Sequence, residues 1–73
     1  MDNNNHIAII EALILASPEP IPAKRIAESN ADLTPAGVAN AVMELNVRYD
    51  STGSSFRIRE IAGGYQFYIL PDF

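Results

Sequence analysis

The side chains most able to do chemistry in this sequence are few and scattered. His6 is the single histidine, and Asp2 is the acid closest to it in the chain. Acid–base catalysis needs a titratable group held beside its proton partner, and a metal site needs several His, Cys or carboxylate ligands at close spacing. Neither pattern is present. We therefore interpret His6 as an exposed terminal histidine, expect neither a metal nor another cofactor, and predict that the chain is not an enzyme.

Two further kinds of chemical site are disfavoured. The chain has no cysteine, which removes disulfides, thiolate ligands and thiol nucleophiles. The glycine pair Gly63-Gly64 is followed by alternating apolar and polar residues, whereas a phosphate-binding loop leads into a helix. The composition thus favours binding over catalysis.

Four of the five basic residues form two small pairs, Lys24 with Arg25 and Arg57 with Arg59, in a chain of formal net charge −4. A nucleic-acid-binding domain normally concentrates positive charge to neutralise phosphates. Arg57 and Arg59 are the best candidates for a weak nucleic-acid contact. The alternative is a solvated strand face on which Arg59 stacks against Tyr68.

The first half of the chain reads as two helices. Residues 7–16 form an apolar stripe that predicts helix 1, capped by one of the asparagines at positions 3–5, which otherwise read as a disordered terminus. Pro18 and Pro20 end this helix, and Ile21 falls in a short extended piece. Pro22 suits the start of helix 2, which we expect to run through about Ser29.

The second half predicts a helix followed by a hairpin. After a turn at residues 30–33, Thr34 is a typical N-cap and Pro35 a typical first residue for helix 3, which runs to about Tyr49. Beyond the polar loop at residues 50–55 the apolar period changes to two. A two-residue loop at Gly63-Gly64 would pair Ile58 with Ile69, place Arg59 opposite Tyr68, and put Phe56, Ile58, Phe67 and Ile69 on one face.

This order of elements predicts an α+β fold, a single winged helix-turn-helix domain over residues 1–73. Three helices precede a C-terminal β-hairpin wing, and a short third strand lies near Ile21. The longest apolar run is interrupted by Glu11 and is too short for a membrane span, and no basic residues precede it as in a signal peptide. We expect a cytoplasmic protein without a membrane partner.

Helix 3 has two apolar sides. Its core stripe comprises Val38, Ala41, Val42, Leu45 and Tyr49, and the opposite side carries Ala36, Ala39, Met43 and Val47. Base readout would require Arg, Lys, Asn or Gln on that outer side, and only Asn40, Asn46 and Arg48 flank it. Either the wing covers Met43 and Val47, or they meet another protein, which we favour. Leu15, which projects from the stripe of helix 1, adds to the apolar surface left for a partner.

Four segments, in order, resemble one bacterial family. They are helix 1 with its exit (residues 9–21), the end of helix 3 (42–49), the wing (58–67) and the final Pro71-Asp72-Phe73. These segments are similar to the start of ScpB, the segregation and condensation protein B, and cover almost the whole chain.

The resemblance implies a non-enzymatic subunit that binds the kleisin ScpA and, through it, an SMC ATPase, in nucleoid-associated complexes that condense and segregate chromosomes. It also implies a homodimer formed through the N-terminal winged helix, and a second winged-helix domain that these 73 residues do not include. Lys24-Arg25 departs from the acidic residues common there in the family. The alternative from fold class alone is a DNA-binding transcriptional regulator, although we expect no sequence-specific DNA binding.

Overall fold

The computed structural model describes residues 3–72 and contains three helices followed by two strands. In chain order these are α1 (Asn3–Ala16), α2 (Ala23–Ala27), α3 (Pro35–Ser51), β1 (Phe56–Ile61) and β2 (Gly64–Ile69). The predicted α+β class and the order of helices and wing are confirmed.

Helix α1 begins earlier than the sequence pattern indicates. Asn3–Asn5 lie inside the helix, so the predictions that one of them caps it and that they form a disordered terminus are wrong. The first four N–H groups of any helix lack partners within the helix. Starting the helix at Asn3 places Ile7, the first buried residue of the stripe, in the regularly hydrogen-bonded part.

Helices α2 and α3 follow their local signals closely. Pro22 is extended and precedes α2, which ends at Ala27, about two residues before the predicted end. The Thr34 hydroxyl accepts a hydrogen bond of 3.0 Å from the Gly37 N–H, and Pro35 occupies the first helical position as predicted. This cap supplies a partner for one of the N–H groups that the helix leaves open.

The wing differs from its predicted register by two residues. Ile58 pairs with Phe67 and not with Ile69, and Arg59 lies opposite Gln66 and not Tyr68. The two loop residues are Ala62 and Gly63, both with positive φ, of 53° and 79°, which is the conformation a tight hairpin turn requires. Because side chains alternate with a period of two, a two-residue shift keeps Phe56, Ile58, Phe67 and Ile69 on one face.

Gly64 pairs with Ile61 as the first residue of β2, and another part of the backbone passes so close to it that no side chain fits. A Cβ atom at this position would lie 2.8 Å from the Ile21 nitrogen and 2.8 Å from the Pro20 carbonyl carbon. Ile21 forms an isolated bridge with Tyr65, with N···O distances of 3.0 and 2.9 Å. The short third strand predicted near Ile21 is therefore present as one antiparallel bridge.

The core lies where the three helices meet the inner face of the wing. The predicted buried stripe of α3 is correct at all five positions, and Ile26 of α2 is fully buried. On the wing Ile58 is buried, whereas Ile69 is 62% exposed despite lying on the same face. The remaining core residues are Ile7, Ile10, Ile14, Leu33 and Tyr65.

Candidate protein-binding surfaces

The side of α3 opposite the core, which we call the outer face, is open. It consists of Ala36, Ala39, Met43 and Val47. Met43 and Val47 are each 67% exposed, Ala36 is exposed and Ala39 is half-buried. The interpretation in which the wing covers Met43 and Val47 is wrong, so the outer face is apolar surface that this domain does not bury.

The wing is held to a different side of α3, along Asn46. The Asn46 amide donates to the Ile58 carbonyl and accepts from the Ile58 N–H, both at 2.8 Å. Asp50, one helical turn further, lies 3.2 Å from the Arg57 guanidinium. These contacts attach β1 beside the outer face and leave that face uncovered.

Both arginines of the wing already make contacts within this domain. The Arg57 side chain is only 15% exposed, and its guanidinium donates to the carbonyls of Ser54 and Phe56 at 2.8 and 2.6 Å as well as to Asp50. The Arg59 guanidinium lies 5.0 Å from the centre of the Tyr68 ring, which confirms the stacking interpretation. A phosphate contact by Arg57 would compete with three existing hydrogen bonds.

A second apolar surface lies between α1 and the wing. Leu15, Phe56, Phe67 and Ile69 line a groove of about 190 Å³, and Glu11 completes its wall. Leu15 is 68% exposed, whereas the two phenylalanines are half-buried against the core. Leu15 therefore belongs to a groove shared with the wing, and none of the outer-face residues lines it.

Glu11 is oriented by a tyrosine from α3. The Tyr49 hydroxyl donates a hydrogen bond to the Glu11 carboxylate, and the Tyr49 ring packs against Phe56 with ring centres 4.8 Å apart. Burial raises the pKa of Tyr49 well above its usual range, and the hydrogen bond and negative charge of Glu11 raise it further. The hydroxyl thus remains a donor, and the carboxylate stays in place at the groove.

His6 is less exposed than predicted. It is half-buried, its Nε2 atom is buried without a described hydrogen-bond partner, and it lines a cleft of about 380 Å³ with Asp32 and Glu44 among the lining residues. Asp2, the acid closest to His6 in the chain, lies outside the described residues.

Residues 3–72 contain neither a cluster of metal-binding side chains nor a membrane-spanning helix. Among them no three His, Asp or Glu side chains are grouped so that they could hold a metal ion. No helix within that range is long and apolar enough to cross a membrane.

A family model described as "Segregation and condensation complex subunit ScpB" matches residues 8–73 of the chain. The chain belongs to the ScpB family. It is 40% identical over 72 residues to segregation and condensation protein B of Syntrophotalea carbinolica, covering 99% of this chain and 36% of the relative. It is 41% identical over 69 residues to the protein of the same name from Symbiobacterium thermophilum, covering 94% and 31%. The chain thus spans about a third of the length of these ScpB relatives.

Two solved structures are also similar. A conserved hypothetical protein from Chlorobium tepidum superposes with a TM-score of 0.88 at 40% identity, over 97% of this chain and 44% of that one. ScpB from Mycobacterium tuberculosis gives a TM-score of 0.86 at 20% identity, over all of this chain and 45% of that one. The second likeness shows that the ScpB fold persists at low sequence identity.

Sequence reasoning located the outer face but not the groove. The 3.6-residue period of α3 identifies Met43 and Val47 directly. The groove depends on where the hairpin lies against the end of α1, which is a tertiary relation. The sequence of this ScpB-family chain did place Phe56, Phe67 and Ile69 on one face of the hairpin and Leu15 outside the buried stripe of α1, but it did not show that these two sets meet.

Proposed function

We propose that this chain is the self-associating N-terminal domain of a non-enzymatic subunit in a bacterial SMC–kleisin complex. The whole subunit would bind the kleisin ScpA and, through it, the SMC ATPase, and act in the cytoplasm on chromosome condensation and segregation. Membership of the ScpB family supports this role. A second winged-helix domain belongs to the same proposal, since the chain spans about a third of its relatives.

The observation that carries the proposal is the outer face of α3. Two large apolar side chains, Met43 and Val47, stand four residues apart on one helix face, and each is 67% exposed. Contiguous exposed apolar surface in a small soluble domain marks a protein contact. A 73-residue domain also buries a smaller fraction of its surface on folding than a larger domain does, so burial against a partner adds to its stability.

The charge distribution supports a protein partner over DNA. The outer face occupies the side with which a recognition helix would enter the major groove, and it carries alanine, methionine and valine. Arg57 is bound to Ser54, Phe56 and Asp50. We expect no sequence-specific DNA binding by this domain.

Sedimentation equilibrium over a wide concentration range tests the proposal. We expect a reversible dimer for the natural chain. Met43→Glu and Val47→Glu should weaken the association about tenfold or more each, because each places a charge in a contact that excludes water. Ala8→Glu, which adds the same charge at an exposed position of α1, is the matched control and should leave the dimer unchanged.

Circular dichroism of each variant checks that the helices persist. A monomer at all concentrations, or variants that remain folded and associate as well as the natural chain, would reject the outer face as the self-association surface. Purified ScpA added to the longest available form of the subunit then tests the kleisin contact separately.

A further inference from the structure

The groove between α1 and the wing combines apolar walls with one oriented carboxylate. Leu15 and Ile69 form its exposed rims, at 68% and 62% exposure, over the half-buried rings of Phe56 and Phe67. Among the described residues that line the groove, Glu11 is the only charged one. A groove of about 190 Å³ has room for one or two large side chains of a partner.

Glu11 has a hydrogen-bond donor but no basic partner in the described part of the chain. Its carboxylate accepts a hydrogen bond from the Tyr49 hydroxyl. The two ion pairs in the described part of the chain use the carboxylates of Glu44 and Asp50 and do not include Glu11. A carboxylate beside apolar surface is stabilised strongly by a nearby cation, since water screens the pair less there than in the open.

We propose that this groove binds an amphipathic helix of a protein partner, with apolar side chains seated between Leu15 and Ile69 and a lysine or arginine paired with Glu11. Lysine and arginine suit this arrangement because their long stems lie on apolar walls while the charged head reaches the carboxylate.

On the wing side of the groove Phe56 pairs with Ile69, and the Leu70 N–H donates to the Ser55 carbonyl at 2.8 Å, so the backbone between β1 and β2 is already hydrogen bonded and the groove offers side chains to a partner. A helix brings its own backbone hydrogen bonds and offers apolar and basic residues at i, i+3 and i+4 spacing. This proposal concerns a surface separate from the outer face of α3 and does not depend on the dimer.

The test is a titration of the isotope-labelled chain with two synthetic helical peptides, followed by NMR. Both carry leucines at i, i+3, i+4 and i+7. The first has a lysine at the edge of the leucine stripe, and the second has a glutamate there. We expect the lysine peptide to change the NMR chemical shifts of the backbone amides of Leu15, Phe67 and Ile69. It should bind about tenfold more tightly than the glutamate peptide.

Three variants assign the contact. Leu15→Ser should weaken binding of the lysine peptide about tenfold. Glu11→Gln should remove the preference for the lysine peptide over the glutamate peptide. Val47→Ser is the matched control, because Val47 is as exposed as Leu15 but lies on the outer face; it should leave peptide binding unchanged.

Several results would overturn the proposal: no shift at the groove amides with either peptide, equal affinity for the two peptides, or equal loss of binding in Val47→Ser. If Leu15→Ser dissociates the dimer in sedimentation equilibrium while Val47→Glu does not, a second copy fills the groove and both proposals fail. If Val47→Glu dissociates the dimer and the peptides do not bind, only the groove proposal fails.

Discussion

Asn46 shows how a residue's function depends on what faces it. On the helix wheel it flanks the outer face and is a plausible group for reading a base edge. In the structure both ends of its amide are bound to the backbone of Ile58, at 2.8 Å each. Residue type and helix position are identical under both interpretations, so the sequence could not distinguish them.

Replacing Asn46 by alanine should lower the free energy of unfolding by about 1–3 kcal/mol, because it leaves the N–H and C=O of Ile58 without their partner. Urea denaturation measures the difference. Asn40→Ala is the matched control, since Asn40 is exposed on the other flank of α3, and it should change stability by less than about 0.5 kcal/mol. Equal effects of the two substitutions would contradict the importance of the Asn46 contact.

Tyr49 makes stability depend on pH in the alkaline range. Its pKa is raised in the folded chain, first by burial and then by Glu11, while an unfolded tyrosine titrates near pH 10. The stabilisation it provides is therefore complete below about pH 10 and is lost as the pH rises above that value.

We expect the free energy of unfolding to fall more steeply above about pH 10 for the natural chain than for Tyr49→Phe, as measured by urea denaturation at a series of pH values. Glu11→Gln should give an intermediate slope, because it removes the two contributions of Glu11 and keeps the burial. Parallel slopes for all three proteins would show that Tyr49 ionises as easily in the folded state as in the unfolded one.

At the scale of elements, the regular patterns and the starts of α2 and α3 agree with the sequence prediction, whereas the start of α1 and the turn of the wing do not. The stripe of α3 was right at five of five positions, since one helical period determines all of them. The hairpin turn was placed one residue late because Gly63-Gly64 satisfies the composition of a turn as well as Ala62-Gly63 does. The composition does not report the close approach of Pro20 and Ile21 to Gly64, a contact distant in sequence that requires glycine at this position of β2.

The turn of the wing contains an alanine in an unfavourable backbone conformation. Ala62 has a φ of 53°, which is costly for a residue with a Cβ, whereas Asn-Gly is the preferred pair for such a two-residue turn. Ala62→Asn should raise the free energy of unfolding by about 0.5–1 kcal/mol.

Thermal unfolding followed by circular dichroism measures this gain. Ala62→Val is the opposing variant and should be destabilising, because a β-branched side chain tolerates positive φ poorly. A loss of stability in Ala62→Asn would mean that the turn conformation differs from the one described.

For the molecule as a whole, the described residues leave two apolar surfaces, the outer face and the groove, after the core has formed. The outer face of α3 was inferred from periodicity, while the groove required the packing of α1 against the wing. The periodicity of a sequence predicts which residues of one helix or strand share a face. It does not predict which faces of separate elements pack together, so the outer face of α3 could be predicted and the groove could not.

If the domain self-associates through its outer face, its melting temperature should rise with protein concentration, because association stabilises the folded form alone. A partner concentration of about a hundred times the dissociation constant adds about 2.7 kcal/mol, which corresponds to several degrees for a domain of this size. Scanning calorimetry at two concentrations measures the shift. Met43→Glu should show a smaller shift of the melting temperature between the two concentrations, and a shift equal to that of the natural chain would place the contact elsewhere.

The paired hydrogen bonds of Asn46 also bear on solubility. Within the described chain β1 pairs with β2 and with no other strand, so its remaining edge would be a template onto which strands of other molecules could add. The amide of Asn46 occupies the N–H and C=O of Ile58 near the middle of that edge, as a neighbouring strand would. The Asn46 side chain thus removes two backbone hydrogen-bonding groups from this edge, which disfavours the addition of strands from other molecules.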